Sequence, residues 1–119
     1  MSRALPVLVA ALLVTGGWLR AQDTRSVESG RKIEAGRKIY DSEGCAKCHM
    51  VGGQGNRLFP LDGVGSRLSA EDIRRWLTNT AQMEDALPKS PAIKMSTRKY
   101  DFSDPDLDAI VAFLKSLTK

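Results

Sequence analysis

Apolar positions along this chain form three kinds of stretch: a near-continuous run at the start, segments at helical spacing, and a middle broken by glycine and proline. After a polar stretch from Gln22 to Gly30, Ile33, Gly36 and Tyr40 fall at i, i+3 and i+7. That spacing predicts a helix beginning near Val27 to Arg31 and running up to Cys45. A glycine inside a helix costs about 1 kcal/mol relative to alanine, so Gly36 points to a second helix crossing closely there. Leu68-Ser69-Ala70-Glu71-Asp72-Ile73 is a helix start. Ser69 is placed to cap it, Asp72 to return the bond, and Leu68 and Ile73 occupy the staple positions. This helix runs to Thr78 or Asn79, with Ile73, Trp76 and Leu77 on one face and Arg74 and Arg75 outside it. A last helix is capped by Ser103 or Asp104, carries Pro105 in its first turn, and presents Leu107, Ile110, Val111, Leu114 and Leu117 as its stripe, widened by Phe113. Lys115 and Lys119 lie at the favourable end of its dipole. Between these elements, Val51 to Asn56 is a glycine-rich loop, Phe59 to Gly65 an irregular apolar segment, and Thr80 to Tyr100 mostly loop with a short helical turn near Gln82 to Leu87. No strand-period segment or repeat is present. The pattern is that of an all-α domain.

The opening run changes the picture of where the chain works. Arg3 supplies a positive start, Ala4 to Leu19 is almost wholly apolar, and Leu19-Arg20-Ala21 ends in a small residue suited to cleavage. These features read as a secretory signal over residues 1–21, followed by a flexible leader over 22–29 and one domain over 30–119. The run is short against the roughly 20 residues that span a bilayer; a retained N-terminal anchor is the competing reading. The chain carries 18 basic and 14 acidic residues, a net charge of +4. Losing Arg3 and Arg20 with the signal leaves +2, too weak a basic footprint for a nucleic-acid partner.

The chemistry concentrates in Cys45-Ala46-Lys47-Cys48-His49. Two cysteines three positions apart with histidine directly after the second is the attachment signature of c-type haem. Each thiol can add across one vinyl group, and the histidine then reaches the iron from the same side. A structural zinc site needs about four ligands, and the chain offers two cysteines and one histidine. A thioredoxin-like pair would sit in a βαβ pattern, which is missing, and a short-range disulfide would leave His49 unexplained. Attachment outside the cytoplasm agrees with export. With both thiols used by haem, the buried cofactor is what supplements the modest core of a domain this small.

From about Gly30 to Leu117 the chain resembles a small class I monohaem c-type cytochrome. The resemblance implies the small cytochrome c fold, with crossed N- and C-terminal helices around a covalent haem. In that family these helices cross at a glycine and an aromatic residue, matched here by Gly36 and Tyr40 against Ile110 and Phe113. A proline after the motif offers its carbonyl to the ligating histidine; Pro60 matches it, although Phe59-Pro60 followed by Gly63 departs from the usual Gly-Pro. The sixth ligand is a methionine on the loop before the last helix. Met50 adjoins His49 on the proximal side, and Met83 lies in a polar context behind the Trp76 helix. Met95, in Pro91-Ala92-Ile93-Lys94-Met95, matches the ligand loop, with Ser96 where a proline is usual. The implied cofactor contacts are therefore Cys45, Cys48, His49, Met95, Pro60 and Trp76, with His49 and Met95 on the metal.

A His/Met pair leaves iron no vacant position, and the sulfur raises its potential. The implied function is a periplasmic, non-enzymatic electron carrier passing single electrons between redox protein partners, without stable membrane insertion once the signal is cut. Lys47, Lys89, Lys94 and Lys99 are candidates for steering an acidic partner to the haem edge. The alternative is a haem sensor or minor peroxidase with an open or displaceable sixth site; a non-haem metal module is a third, weaker reading. Donor, acceptor and oligomeric state leave no mark on the sequence.

Overall fold

The computed structural model describes residues 16–119, with side chains from Arg20 onward, so most of the export segment expected over 1–21 lies outside the described residues. The first helix, α1, spans Gly16–Ser42. It therefore starts well before Val27, and the stretch over 22–29 expected as a loose leader is helical, with every side chain exposed. The physical reason is nucleation. The packed part of the helix beyond Ile33 supplies the costly first turn, and the helix then extends back from it through the polar residues before Gly30 one hydrogen bond at a time, without tertiary support.

Two short elements follow at the cysteine pair: a 3₁₀ turn over Cys45–Lys47 and a strand, β1, over His49–Val51. Strands β2 (Gln54–Gly55) and β3 (Phe59–Pro60) flank β1, antiparallel and parallel respectively. This sheet was not expected, because strands of two or three residues are too short to display alternation. Its cause is local: Gly52 and Gly53 both have positive φ, at 59° and 78°, the geometry of a two-residue type I′ hairpin joining Val51 to Gln54. Four helices complete the chain: α2 (Val64–Arg67), α3 (Ala70–Thr78), α4 (Thr80–Asp85) and α5 (Asp104–Ser116), with a second 3₁₀ turn over Met95–Thr97. The short α2 replaces part of the expected irregular segment. The two principal caps form as expected. Ser69 Oγ accepts from the Asp72 amide at 3.0 Å, but the returned bond runs from its hydroxyl to the Asp72 carboxylate at 2.9 Å. Ser103, not Asp104, caps α5, accepting from the Asp106 amide at 3.3 Å.

The core is built on α5. Leu107, Ile110, Val111, Phe113 and Leu114 cluster with Tyr40 of α1, Val64 of α2, and Ile73 and Leu77 of α3. The α1–α5 crossing lies at Gly36, where a Cβ would come within 2.0 Å of the Ala109 carbonyl oxygen and 2.7 Å of Phe113 Cβ. One turn on, the Tyr40 and Phe113 rings meet at 5.5 Å, tilted by 59°. Ile110, fully buried in the same cluster as Tyr40 and Phe113, also lines the interior cavity. A second near-backbone approach was not foreseen. A Cβ on Gly65 would lie 2.0 Å from the Lys115 carbonyl oxygen, the Gly65 amide donates to Leu117 O at 2.9 Å, and Lys115 Nζ donates to Gly65 O and Leu68 O at 2.7 and 3.0 Å. Among the described residues, no helix is long and apolar enough to cross a membrane.

Candidate haem site

A cavity of about 440 Å³ opens between the crossed helices, α3 and the segment before α5, within the range of cofactor pockets. Cys45, Cys48 and His49 all face it. The left-handed Gly44 (φ 69°) ends the α1 connection and starts the 3₁₀ turn that brings the two sulfurs to one side. Both cysteines are free thiols. Burial, assisted by the nearby Glu43 carboxylate, pushes the Cys45 thiol up to about 11.

His49 Nδ1 lies 2.9 Å from the carbonyl oxygen of Phe59. A carbonyl only accepts, so the bond places the ring proton on Nδ1 and leaves Nε2 as the lone-pair nitrogen, the form that binds a metal. The family resemblance implied Pro60 as this acceptor. The parallel register of β1 and β3 sets His49 against Phe59 and Met50 against Pro60; Pro60 is exposed and does not line the cavity. The partner is therefore one residue earlier than expected. Behind the histidine, the Tyr40 hydroxyl donates to His49 O at 3.5 Å. Burial, with Cys45 adding to it, pushes the Tyr40 phenol up to about 12 and keeps it protonated.

Of the three methionines after the motif, Met95 lines the cavity, whereas Met50 and Met83 do not. Trp76 lines it as expected, alongside Ile73, Leu77 and Leu114. The free thiols, the oriented histidine, the thioether and these apolar walls together form a donor set and a largely apolar pocket that fit a haem attached at Cys45 and Cys48. Arg67, Lys94 and Arg98 also reach the cavity, suitable company for carboxylate groups of a cofactor. Sequence reasoning missed three participants: the Phe59 carbonyl, Tyr40 as part of the wall, and Glu84. Glu84 is 4% exposed and is the buried charged residue among the described residues. No periodicity marks it, since its helix α4 has six residues. No group of three or more His, Cys, Asp or Glu lies together among the described residues to hold a bare metal ion, which removes support from the non-haem reading.

No curated protein and no solved structure matches the chain significantly. The family model described as cytochrome c matches residues 33–118, from the first buried turn of α1 to the end of α5. A covalently held c-type haem is the cofactor of that family, and it is the group that Cys45, Cys48 and His49 are arranged to receive. The chain belongs to the cytochrome c family and is a haem-binding electron-transfer protein.

Proposed function

We propose that the protein is an exported, periplasmic single-electron carrier, not an enzyme, with His49 and Met95 as the axial ligands of one haem. The observation that carries this reading is that Met95 shares the cavity with His49, Cys45 and Cys48, while the other two methionines after the motif lie outside it. When bound, the haem supplies a one-electron iron couple. The chain's part is to hold it. Cys45 and Cys48 would tether it, the Nδ1 proton of His49 is tied to Phe59 O and leaves Nε2 free as a ligand, and Met95 would offer a sulfur that favours the ferrous state. With both residues bound to the iron, oxygen or peroxide would find no vacant position there. Export is supported by the charged, apolar and small-residue order of residues 1–21. Exposed Lys47, Lys89, Lys94 and Lys99 support an acidic redox protein as partner.

The test is ligation. Ferrous wild-type protein should bind carbon monoxide poorly; Met95→Ala should bind it readily and have a lower reduction potential. Rapid binding by the unmodified protein, or a spectrum insensitive to Met95→Ala, would favour the sensor or peroxidase reading. The intact mass should equal Gln22–Lys119 plus one haem, and a membrane-bound product retaining residues 1–21 would replace the soluble carrier with an anchored one.

A further inference from the structure

We propose that Glu84 is a positioning residue for Met95: its buried carboxylate grips Ser96 through both oxygens and holds the ligand-bearing turn against the cavity. The proposal rests on Met95 being the axial ligand. From Ala86 to Phe102 no side chain is buried, and Leu87 and Ile93 are exposed at 39% and 48%. Met95 and Phe102 pack, half-buried, against the core, and the turn between them is held further by polar bonds. The Ser96 amide donates to Glu84 Oε1 at 3.1 Å and the Ser96 hydroxyl donates to Oε2. One residue from the sulfur ligand, both main chain and side chain are tied to a single group on another helix.

The placement of Glu84 needs such a role to explain it. Carboxylates are rarely buried unless paired or well hydrogen-bonded. Glu84 also stands in the last turn of α4, where the helix dipole disfavours negative charge. The Ser96 hydroxyl, then the Ser96 and Met95 amides and the Lys94 charge, hold its carboxyl below the usual range against the opposing effect of burial. Hydrogen bonds to an ionised acceptor are about twice as strong as neutral ones, so the grip is a firm one. Glu84 also lines the cavity itself, which places this support directly beside the site.

The experiment uses the haem-loaded full-length protein and three variants, Glu84→Ala, Glu84→Gln and Ser96→Ala. The readouts are the sulfur-to-ferric-iron charge-transfer band, the rate of carbon monoxide binding to the ferrous state, and the reduction potential. Glu84→Ala should raise the carbon monoxide rate by about tenfold or more, weaken the charge-transfer band and lower the potential. Glu84→Gln keeps an acceptor for the Ser96 amide and should lie between wild type and Glu84→Ala. Ser96→Ala, which removes the hydroxyl alone, should raise the rate less than Glu84→Ala. If Glu84→Ala keeps all three readouts at wild-type values while Met95→Ala abolishes the band, the positioning role is wrong and the ligand stands. If Met95→Ala leaves the band intact, the ligand assignment fails and the proposal falls with it. Should Glu84→Ala not accumulate, a wild-type rate and band in Ser96→Ala would overturn the proposal.

Discussion

Along the α1–α5 crossing the contacts are apolar and run directly from helix to helix: Gly36 rests on Ala109, Tyr40 on Phe113, and Ile110 is wholly buried. Across the cavity, residues 86–102 contribute no buried side chain, and the turn bearing Met95 is tied through Ser96 to one carboxylate. The first region is a wall of side chains packed directly on one another. The second touches the core through Met95 and Phe102, both half-buried, and lines the cavity where a haem would sit. The two walls of the cavity therefore rest on different forces.

The most severe way to test that contrast is to withhold the cofactor. Cys45→Ser/Cys48→Ser should lose haem on a denaturing gel and leave a largely unfolded chain without a cooperative melt. Residual amide protection by hydrogen exchange should survive in residues 33–42 and 107–114 and vanish over 86–102. Equal protection in both regions would break the comparison, and a well-folded, haem-free double variant would refute the haem's structural role.

Next in size are changes at the crossing itself. Phe113→Ala should destabilise the haem-loaded protein by about 3–5 kcal/mol in denaturant unfolding. Gly36→Ala should cost about 1–3 kcal/mol, because the added carbon meets the Ala109 backbone, which cannot swing aside. Both should leave the carbon monoxide resistance of the ferrous protein unchanged. A large gain in binding would mean that the two walls are coupled.

The smallest expected effect is electrostatic. Arg74 of α3 pairs with Asp108 of α5, and its hydrogen bond holds the Asp108 carboxyl below its ordinary value against partial burial. A lowered carboxylate stabilises the fold above its unfolded-state range, and that contribution is lost as pH falls through the folded-state value. The melting temperature of wild type should therefore exceed that of Asp108→Asn slightly at neutral pH, and the gap should close in acid. It should be small because both side chains are roughly two-fifths exposed.

Much of this was legible in the residues because it is local or periodic. The Ser69 and Ser103 caps, the α5 stripe, the close crossing at Gly36 and the cavity positions of Cys45, Cys48, His49, Trp76 and Met95 each follow from spacing, cap chemistry or the family resemblance. What was not legible depends on register or on distant partners. Phe59 and Pro60 are equally plausible acceptors until the pairing of β1 with β3 chooses between them, and that pairing hangs on a hairpin of two glycines. Glu84 looks like any acidic residue of a short helix; its role lies in Ser96, twelve residues later. The early start of α1 escaped because propagation from a packed helix needs no apolar signal of its own.

Because the acceptor for His49 is a backbone oxygen, point mutation has little purchase on it. Every residue type brings the same carbonyl, so exchanging the Phe59 side chain alters an apolar neighbour of the ring while the acceptor persists. The site is exposed instead to changes of length. A codon gained or lost between Val51 and Phe59 would slide β3 along β1 and present a different carbonyl, or none, to the histidine. Among descendants of this chain, inheritance should therefore tolerate spelling changes at position 59 far better than in-frame insertions or deletions across residues 52–58.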